Sequence, residues 1–517
     1  MAALLLIAAW PDSSLTPIIA IAWVPLLLLA NSGIATPVLL RNIFLTMLVW
    51  NAGTTWWLWN ATTEGAIAAI LINTVVMTIP WWGYAKLKKV LSPNLQFFPL
   101  VFFWLCFEYI HLNWELSWPW LTLGNALANR PAWIQWYEYT GVAGGSLAIW
   151  ISNLLAYFLL RAIIQKAPLK NILLQRLLPF TLYLLCLIGL SNLVSPDSSF
   201  PDTKNNIVIV QPNIDPYQKF EQSNATNQIK KLLQLSASAI DINTRMVVWP
   251  ETAMSVVDWQ DNILNNAYYQ PIFKLAQQYP SLQIISGIET FKNYGAVKST
   301  PTARTTDNGN YYDAFNAAIS IQHGRNLQFY NKSKLVPGVE SLPSFLYFMA
   351  PIFEQFGGST GGYGRSDKAA VFADANAVYK AAPIICYESI YGEYIGEFVR
   401  NGATVLTIIT NDGWWGNTPG FLQHLAYARL RAIETRRWVV RSANTGVSAV
   451  IDERGEIIKQ YGWDKAATIK YAIPTNTELT FYTLYGDFIY KAASILTILL
   501  IAYFWYRKWM KNEQLFD

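Results

Sequence analysis

Pro383-Ile384-Ile385-Cys386-Tyr387-Glu388 sets one thiol at the end of an apolar, β-branched run, with an aromatic and an acid directly after it. A strand ending on a thiol presents a nucleophile at the edge of a sheet. The chain has three cysteines and three histidines, and the other cysteines, Cys106 and Cys186, lie in long apolar segments. A cysteine–histidine pair is poorly supplied, so activation of Cys386 falls to a carboxylate and a lysine. Glu251 follows Val248-Trp249-Pro250. Proline cannot donate to a ladder, so the strand stops there and the acid is aimed off its end. Lys332, in Tyr330-Asn331-Lys332, stands 81 residues after Glu251 and 54 before Cys386. Taken singly these would be a solvated cap, a surface lysine and a buried small hydrophobe. As a set they can perform nucleophilic acyl chemistry.

The elements that must position them alternate. Strands are expected at Ile207–Val210, Met246–Trp249, Ile284–Gly287, Ala317–Ile321, Ala382–Ile385, Thr404–Thr410 and Val439–Ala443, with helices near 225–240, 263–279 and 421–436. Continuous apolar strands between helices predict an α/β fold whose sheet is covered on both faces.

The rest of the chain is different. Of 517 residues, 53% are hydrophobic and only 14% charged, against about 25% charged in soluble domains. The deficit sits in residues 1–195 and 480–506. A membrane span needs about 20 apolar residues, and such runs fall at 17–32, 38–58, 66–85, 97–112, 144–163, 174–194 and 487–506. Ala2–Trp10 is apolar but half-length. Basic residues mark alternate loops: Arg41; Lys86, Lys88 and Lys89; Arg161, Lys166, Lys170 and Arg176; Arg507, Lys508 and Lys511. By the positive-inside rule these loops are cytoplasmic. Counting the half-length segment gives about eight spans, both termini inside and residues 200–478 outside. The division expected is 1–195 membrane helices, 200–478 catalytic domain, and 480–517 final span and tail. A net charge of +5 held in short loops points to topology, not nucleic acid. Trp56, Trp57, Trp59, Trp81, Trp82, Trp114, Trp118 and Trp120 read mainly as interfacial anchors. Glu108, His111 and Glu115, near the end of a span, are candidates for headgroup contact.

Trp249-Pro250-Glu251-Thr252, Tyr330-Asn331-Lys332 with Leu335-Val336-Pro337, Ile385-Cys386-Tyr387-Glu388 and Asn411-Asp412-Gly413-Trp414 resemble the carbon–nitrogen hydrolase (nitrilase) superfamily. The membrane frame and the His424-x-x-x-Ala428-Arg429-x-Arg431-Ala432-x-Glu434 string resemble its membrane-bound acyltransferase branch of bacterial inner membranes. The resemblance covers essentially the whole chain. It implies an α-β-β-α sandwich on the periplasmic side and a catalytic triad of Glu251, Lys332 and Cys386. Glu340, Tyr387 and Glu388 would support the triad, and Phe220, Trp414, Phe345, Phe348 and Phe353 would contact substrate. It further implies a phospholipid acyl donor, a diacylglyceryl-apolipoprotein acceptor, a thioester intermediate, no cofactor or metal, and a monomer. Two strings depart from the family: Pro337-Gly338-Val339-Glu340 carries its glycine one position early, and Phe220 stands where a tryptophan is usual. The apolar stretch from Leu342 to Phe356, before Gly357-Gly358-Ser359-Thr360-Gly361-Gly362, reads as a membrane-dipping lid. A membrane-tethered amidase and a non-catalytic receptor or transporter are the alternative readings.

Overall fold

The computed structural model describes residues 1–88, 91, 96–197, 204–219, 221, 224–345, 362–373 and 378–513. They form two compact units, Met1–Ser195 with Tyr485–Asp517, and Pro196–Leu484.

The first unit is helical. Thr63–Leu87, Tyr137–Ile164, Leu169–Val194 and Phe488–Met510 are long and apolar enough to cross a membrane, and Thr16–Ala30 and Phe98–Leu112 are shorter apolar helices. Ala2–Ala8 and the 20-residue Thr36–Thr55 are also helical. The tryptophans divide. Trp56, Trp59 and Trp82 are exposed as interfacial anchors would be, but Trp57, Trp81 and Trp120 are fully buried. The indole of Trp23 packs against Trp50, Trp81, Trp104 and Trp150, with ring centroids 4.9–5.9 Å apart. These rings knit segments far apart in sequence, a role that span-end position alone does not reveal. Glu108 is buried as well and accepts hydrogen bonds from Trp104 Nε1, the Leu123 amide and the Tyr490 hydroxyl at 2.8–2.9 Å. Its carboxylate ties the first helices to the last one instead of reaching interfacial water.

The second unit carries two sheets. The first contains β1 (Asn206–Gln211), β2 (Thr244–Val248), β3 (Met254–Trp259), β4 (Gln283–Gly295), β5 (Arg304–Thr305), β6 (Tyr311–Ile321), β7 (Gln328–Asn331) and β14 (Ala467–Ala472). Its order is β14-β1-β2-β4-β6-β5, with β3 on β4 and β7 on β6. The second runs β13-β12-β11-β10-β9-β8, from Ile457–Tyr461, Ser448–Ile451, Val439–Ala443, Val405–Thr410, Lys380–Ile385 and Phe372–Ala373 respectively. In both, the parallel centre is built from the β-branched runs: β1-β2-β4 in one, β9-β10-β11 in the other. Such runs suit strands buried on both faces.

The sheets face one another. Ser442 Oγ on β11 donates to the Val210 carbonyl on β1 at 2.8 Å, and the Ser448 amide donates to Gln211 Oε1 at 2.9 Å. Ala225–Ala239 packs outside β1 and β14, while Gly392–Arg400 and Pro419–Thr435 pack outside β9 and β11. The result is the α-β-β-α sandwich. The stretch 263–279 is not one helix: a 3-10 turn, Gln260–Asn265, precedes a helix, Gln270–Gln278, with Pro271 in its first turn. No strand is expected from the sequence at β3, β5, β7, β8 or β12–β14, which span four residues or fewer or are interrupted by polar residues.

Candidate active site

β2 stops at Val248, and two tight backbone positions then turn the chain toward the second sheet. Thr252 adopts a left-handed φ of 48°. Gly287 on β4 lies so close that a Cβ there would stand 2.5 Å from Glu251 Cα. This packing delivers the Glu251 carboxylate, 7% exposed, into the interior. Its Oε1 accepts from Asn316 Nδ2 at 2.8 Å and lies 3.4 Å from Lys332 Nζ, and its Oε2 accepts from the Asn411 amide at 3.1 Å.

Lys332 follows β7, and its amide donates to the Asn316 carbonyl at 2.9 Å. Its ammonium, 1% exposed, donates to Glu340 Oε1 at 2.8 Å. Burial alone would lower this amine's pKa, but Glu340, Glu251 and Cys386 outweigh it and raise it, so Lys332 stays charged. The displaced glycine is resolved locally. Gly338 takes φ 79°, the Glu340 amide returns to the Val336 carbonyl at 2.9 Å, and Glu340 Oε2 accepts from the Val336 amide at 2.8 Å. The turn therefore needs glycine at 338, and Glu340 still meets Lys332.

Cys386 ends β9 and opens a 3-10 turn, Cys386–Ile390, with φ 50°. A left-handed non-glycine residue is strained, and such strain collects at functional sites. Burial and the Glu251 carboxylate push the thiol's pKa up, opposed by Lys332 and a Thr410 hydrogen bond. The resting group is thus a thiol beside a carboxylate and an ammonium.

Glu388 joins the two halves. Its Oε2 accepts from the Ile385 amide at 2.9 Å, and its Oε1 accepts from the Ser333 and Lys334 amides at 2.7 and 3.2 Å and from the Tyr330 hydroxyl at 2.6 Å. It reaches the backbone beside Lys332, not its amine, and so locks the lysine turn to the cysteine turn. Tyr387 is buried with its ring edge-on to Tyr391. Trp414, half-buried, stands in the 3-10 turn after Asn411 with Tyr217 edge-on at 5.4 Å. Phe345 is 57% exposed. Phe220, Phe348, Phe353 and most of the expected lid lie outside the described residues.

Four further features belong to the site. Asn316, a lone amide in the apolar strand β6, donates through Nδ2 to both Glu251 Oε1 and Glu340 Oε1, the latter at 3.0 Å. Its interruption of an apolar run was the readable signal. Lys219, 1% exposed, donates to the Glu251 carbonyl at 2.6 Å and Thr252 Oγ1 at 2.7 Å, and burial lowers its pKa to about 7. Asp412 accepts from Arg441 Nη2 at 2.8 Å and from Thr410 Oγ1 at 2.9 Å, and despite burial Arg441 and His424 hold its carboxyl down at about 2. His424 then lies behind the nucleophile: Nε2 is 2.9 Å from Ser389 Oγ and 3.2 Å from the Cys386 carbonyl oxygen, and Ser389 Oγ donates to that same oxygen at 2.8 Å. With so few histidines, one still backs the cysteine, through its backbone and not its sulfur.

Two results are expected here. Asn316→Ala removes one charge-assisted hydrogen bond to each of two carboxylates, at ~1.5–3 kcal/mol apiece. Cys386-dependent turnover should fall by about a hundredfold or more, at ~1.4 kcal/mol per decade, with the fold retained, read from initial rates and circular dichroism. The second concerns pH. Burial pushes Glu388 up to about 7, against its amide and hydroxyl donors and the Lys332 charge. Its folded pKa exceeds the unfolded value of ~4.3, so its contribution to stability is complete below about 4.3 and is lost as pH rises through the folded value. Activity runs the other way, because only the carboxylate satisfies all its donors. A rate–pH profile should show an acid limb near 7, and Glu388→Gln, which cannot titrate, should lack it.

An acid, an ammonium, and a thiol on a strained turn are the parts of nucleophilic acyl transfer. A family profile described as carbon–nitrogen hydrolase matches residues 207–479, and one described as the apolipoprotein N-acyltransferase N-terminal domain matches residues 2–155. An apolipoprotein N-acyltransferase from Chlorobaculum tepidum is 29% identical, covering 93% of this chain and 90% of its own. One from Rickettsia prowazekii is 27% identical over 80% of this chain and 77% of its own. Among solved structures, Saccharomyces cerevisiae Nit3 of the nitrilase superfamily aligns with TM-score 0.37 and 17% identity, covering 53% of this chain and 92% of its own.

Proposed function

This chain belongs to the carbon–nitrogen hydrolase family, and we propose that it N-acylates the N-terminal diacylglyceryl-cysteine of apolipoproteins from a phospholipid donor. The observation that carries this reading is the joining, in one chain, of the N-terminal region matched at 2–155 to a domain in which Glu251, Lys332 and Cys386 converge.

Transfer runs in two steps. Cys386 attacks an ester carbonyl of the phospholipid while Glu251 takes the thiol proton. The free thiol's pKa of about 8.5 makes that assistance necessary near neutral pH, and burial here makes it more so. Lys332 stabilises the oxyanion, and the tetrahedral intermediate collapses to a thioester as Glu251 returns the proton to the lysophospholipid alcohol. The α-amine of the acceptor then attacks the thioester, the C–S bond breaks, and an amide leaves. Glu340 and Asn316 hold Lys332 and Glu251 in register. Glu388 and the His424–Asp412 pair hold the turns that carry Lys332 and Cys386.

About eight spans, both termini inside, a catalytic domain facing the periplasm and a monomeric enzyme in the bacterial inner membrane complete the reading. It is supported by the loop charges and by the four long apolar helices. Purified protein supplied with acyl-labelled phospholipid and a diacylglyceryl-cysteine peptide should move the label to the peptide's α-nitrogen. Hydrolysis of small amides without any transfer would replace this reading with a membrane-tethered amidase.

A further inference from the structure

Glu289 is a carboxylate beside the site that the two-step scheme leaves unused. It lies on β4 directly across from Asn316 on β6. Cross-strand partners project from the same face with Cβ atoms about 5 Å apart, so Glu289 shares the face on which Asn316 meets Glu251 and Glu340. It is half-buried, and its Oε1 accepts from the Tyr363 hydroxyl at 2.7 Å. No hydrogen bond reaches its second oxygen among the described residues. The groups facing it are Tyr363, Arg304 and Glu340. Burial and Glu340 push its pKa up, against Tyr363 and Arg304.

Asn316 supplies a second observation. Its Nδ2 lies between two carboxylates, which fixes the amide orientation, since its oxygen would be repelled there. The Asn316 oxygen is consequently the other end of the amide. It is buried and has no hydrogen-bond partner among the described residues. Among the described residues, an orphaned acceptor and a carboxylate with one oxygen unbonded thus stand on adjacent strands of one face. Both can take a further donor, and the carboxylate, although Arg304 faces it, makes no ion pair among the described residues.

Building on the function proposed above, we propose that Glu289 and the Asn316 side-chain oxygen seat the α-ammonium of the acceptor for the second half-reaction. The reacting group of the phospholipid is a neutral ester, whereas the reacting atom of the acceptor is an amine that is protonated in water. Glu289 takes one proton from the ammonium. The neutral amine forms the C–N bond to the thioester carbonyl, and Glu251 takes the second amine proton. The C–S bond breaks, that proton passes to the Cys386 sulfur, and Glu289 releases its own to water.

The test uses the full-length protein in phospholipid vesicles, with thioester formation and single-turnover transfer measured separately. Glu289→Gln keeps an acceptor for Tyr363 but loses the charge. Thioester formation should be unchanged, and transfer to a diacylglyceryl-cysteine peptide should fall about tenfold or more, as loss of a charged hydrogen-bond partner implies. Transfer to hydroxylamine, neutral at the working pH, should fall much less, and the peptide deficit should shrink as pH rises past the peptide amine's pKa. Glu289→Asp should recover part of the loss. Equal losses in both steps, equal losses with both amines, or no loss at all would each overturn the assignment. Failure of the wild-type protein to form any thioester would instead overturn the acyltransferase reading itself.

Discussion

Cys386→Ala is expected to abolish both thioester formation and amide product. In a serine-protease triad loss of the nucleophile costs on the order of a millionfold in kcat, and a loss of similar order is expected here if Cys386 forms the covalent intermediate as proposed. The structure offers no substitute: among the described residues Cys106 is buried in the helical unit, and Cys186 is exposed on Leu178–Val194. Cys386→Ser should keep the turn, since the strained φ of 50° is a property of the backbone. It should still fail in acyl transfer, because a hydroxyl is far harder to ionise beside Glu251. Near-normal transfer by Cys386→Ala would show that the nucleophile lies elsewhere.

Lys332→Met is the second large effect. The ammonium lies 2.8 Å from Glu340 and 3.4 Å from Glu251, with both partners at most 12% exposed. In the proposed mechanism its removal deletes the cation that stabilises the oxyanion, worth about 3–4 kcal/mol of transition-state stabilisation, or roughly 10²–10³ in rate. It also strands two buried carboxylates, and breaking a buried pair from one side costs about 3–5 kcal/mol of stability. Rates should be compared with thermal denaturation, which separates these losses. Glu340→Gln in the same background should recover stability by removing the uncompensated charge, without recovering the rate. Lys332→Arg should not rescue, since a planar guanidinium does not reproduce the point-charge contacts that this buried ammonium makes with Glu340 and Glu251.

The parallel strands and the residues at their ends were legible because they announce themselves one-dimensionally. β1, β2, β4, β9, β10 and β11 each hold a short apolar core such as Ile207–Val210, Val247-Val248, Ile284-Ile285 or Ile384-Ile385, and the Glu251 and Cys386 strings begin where two of them stop. What the sequence concealed is long-range. Asn316 reads as one amide in a strand until its register places it between two glutamates. Lys219 carries no signal of its own in the sequence, yet its amine donates to the Glu251 carbonyl from 32 positions away. His424 and Asp412 fall 38 and 26 residues after Cys386 and meet it only through the packing of Pro419–Thr435 against the second sheet. The tryptophans of the helical unit teach the same lesson. Trp56 and Trp57 are neighbours in sequence, yet one is exposed and the other buried, because helix rotation and not span-end position decides which face a ring joins.

Acyl transfer by this route requires a phospholipid-derived thioester at Cys386, and the most direct measurement is the mass of the peptide bearing that residue. Wild-type protein incubated with a phospholipid of defined acyl chain, without acceptor, should be quenched in acid and digested. The Cys386 peptide should carry the mass of that acyl chain and lose it to hydroxylamine or to a diacylglyceryl-cysteine peptide. An unmodified Cys386 peptide under conditions in which the acceptor is nonetheless acylated would contradict the account.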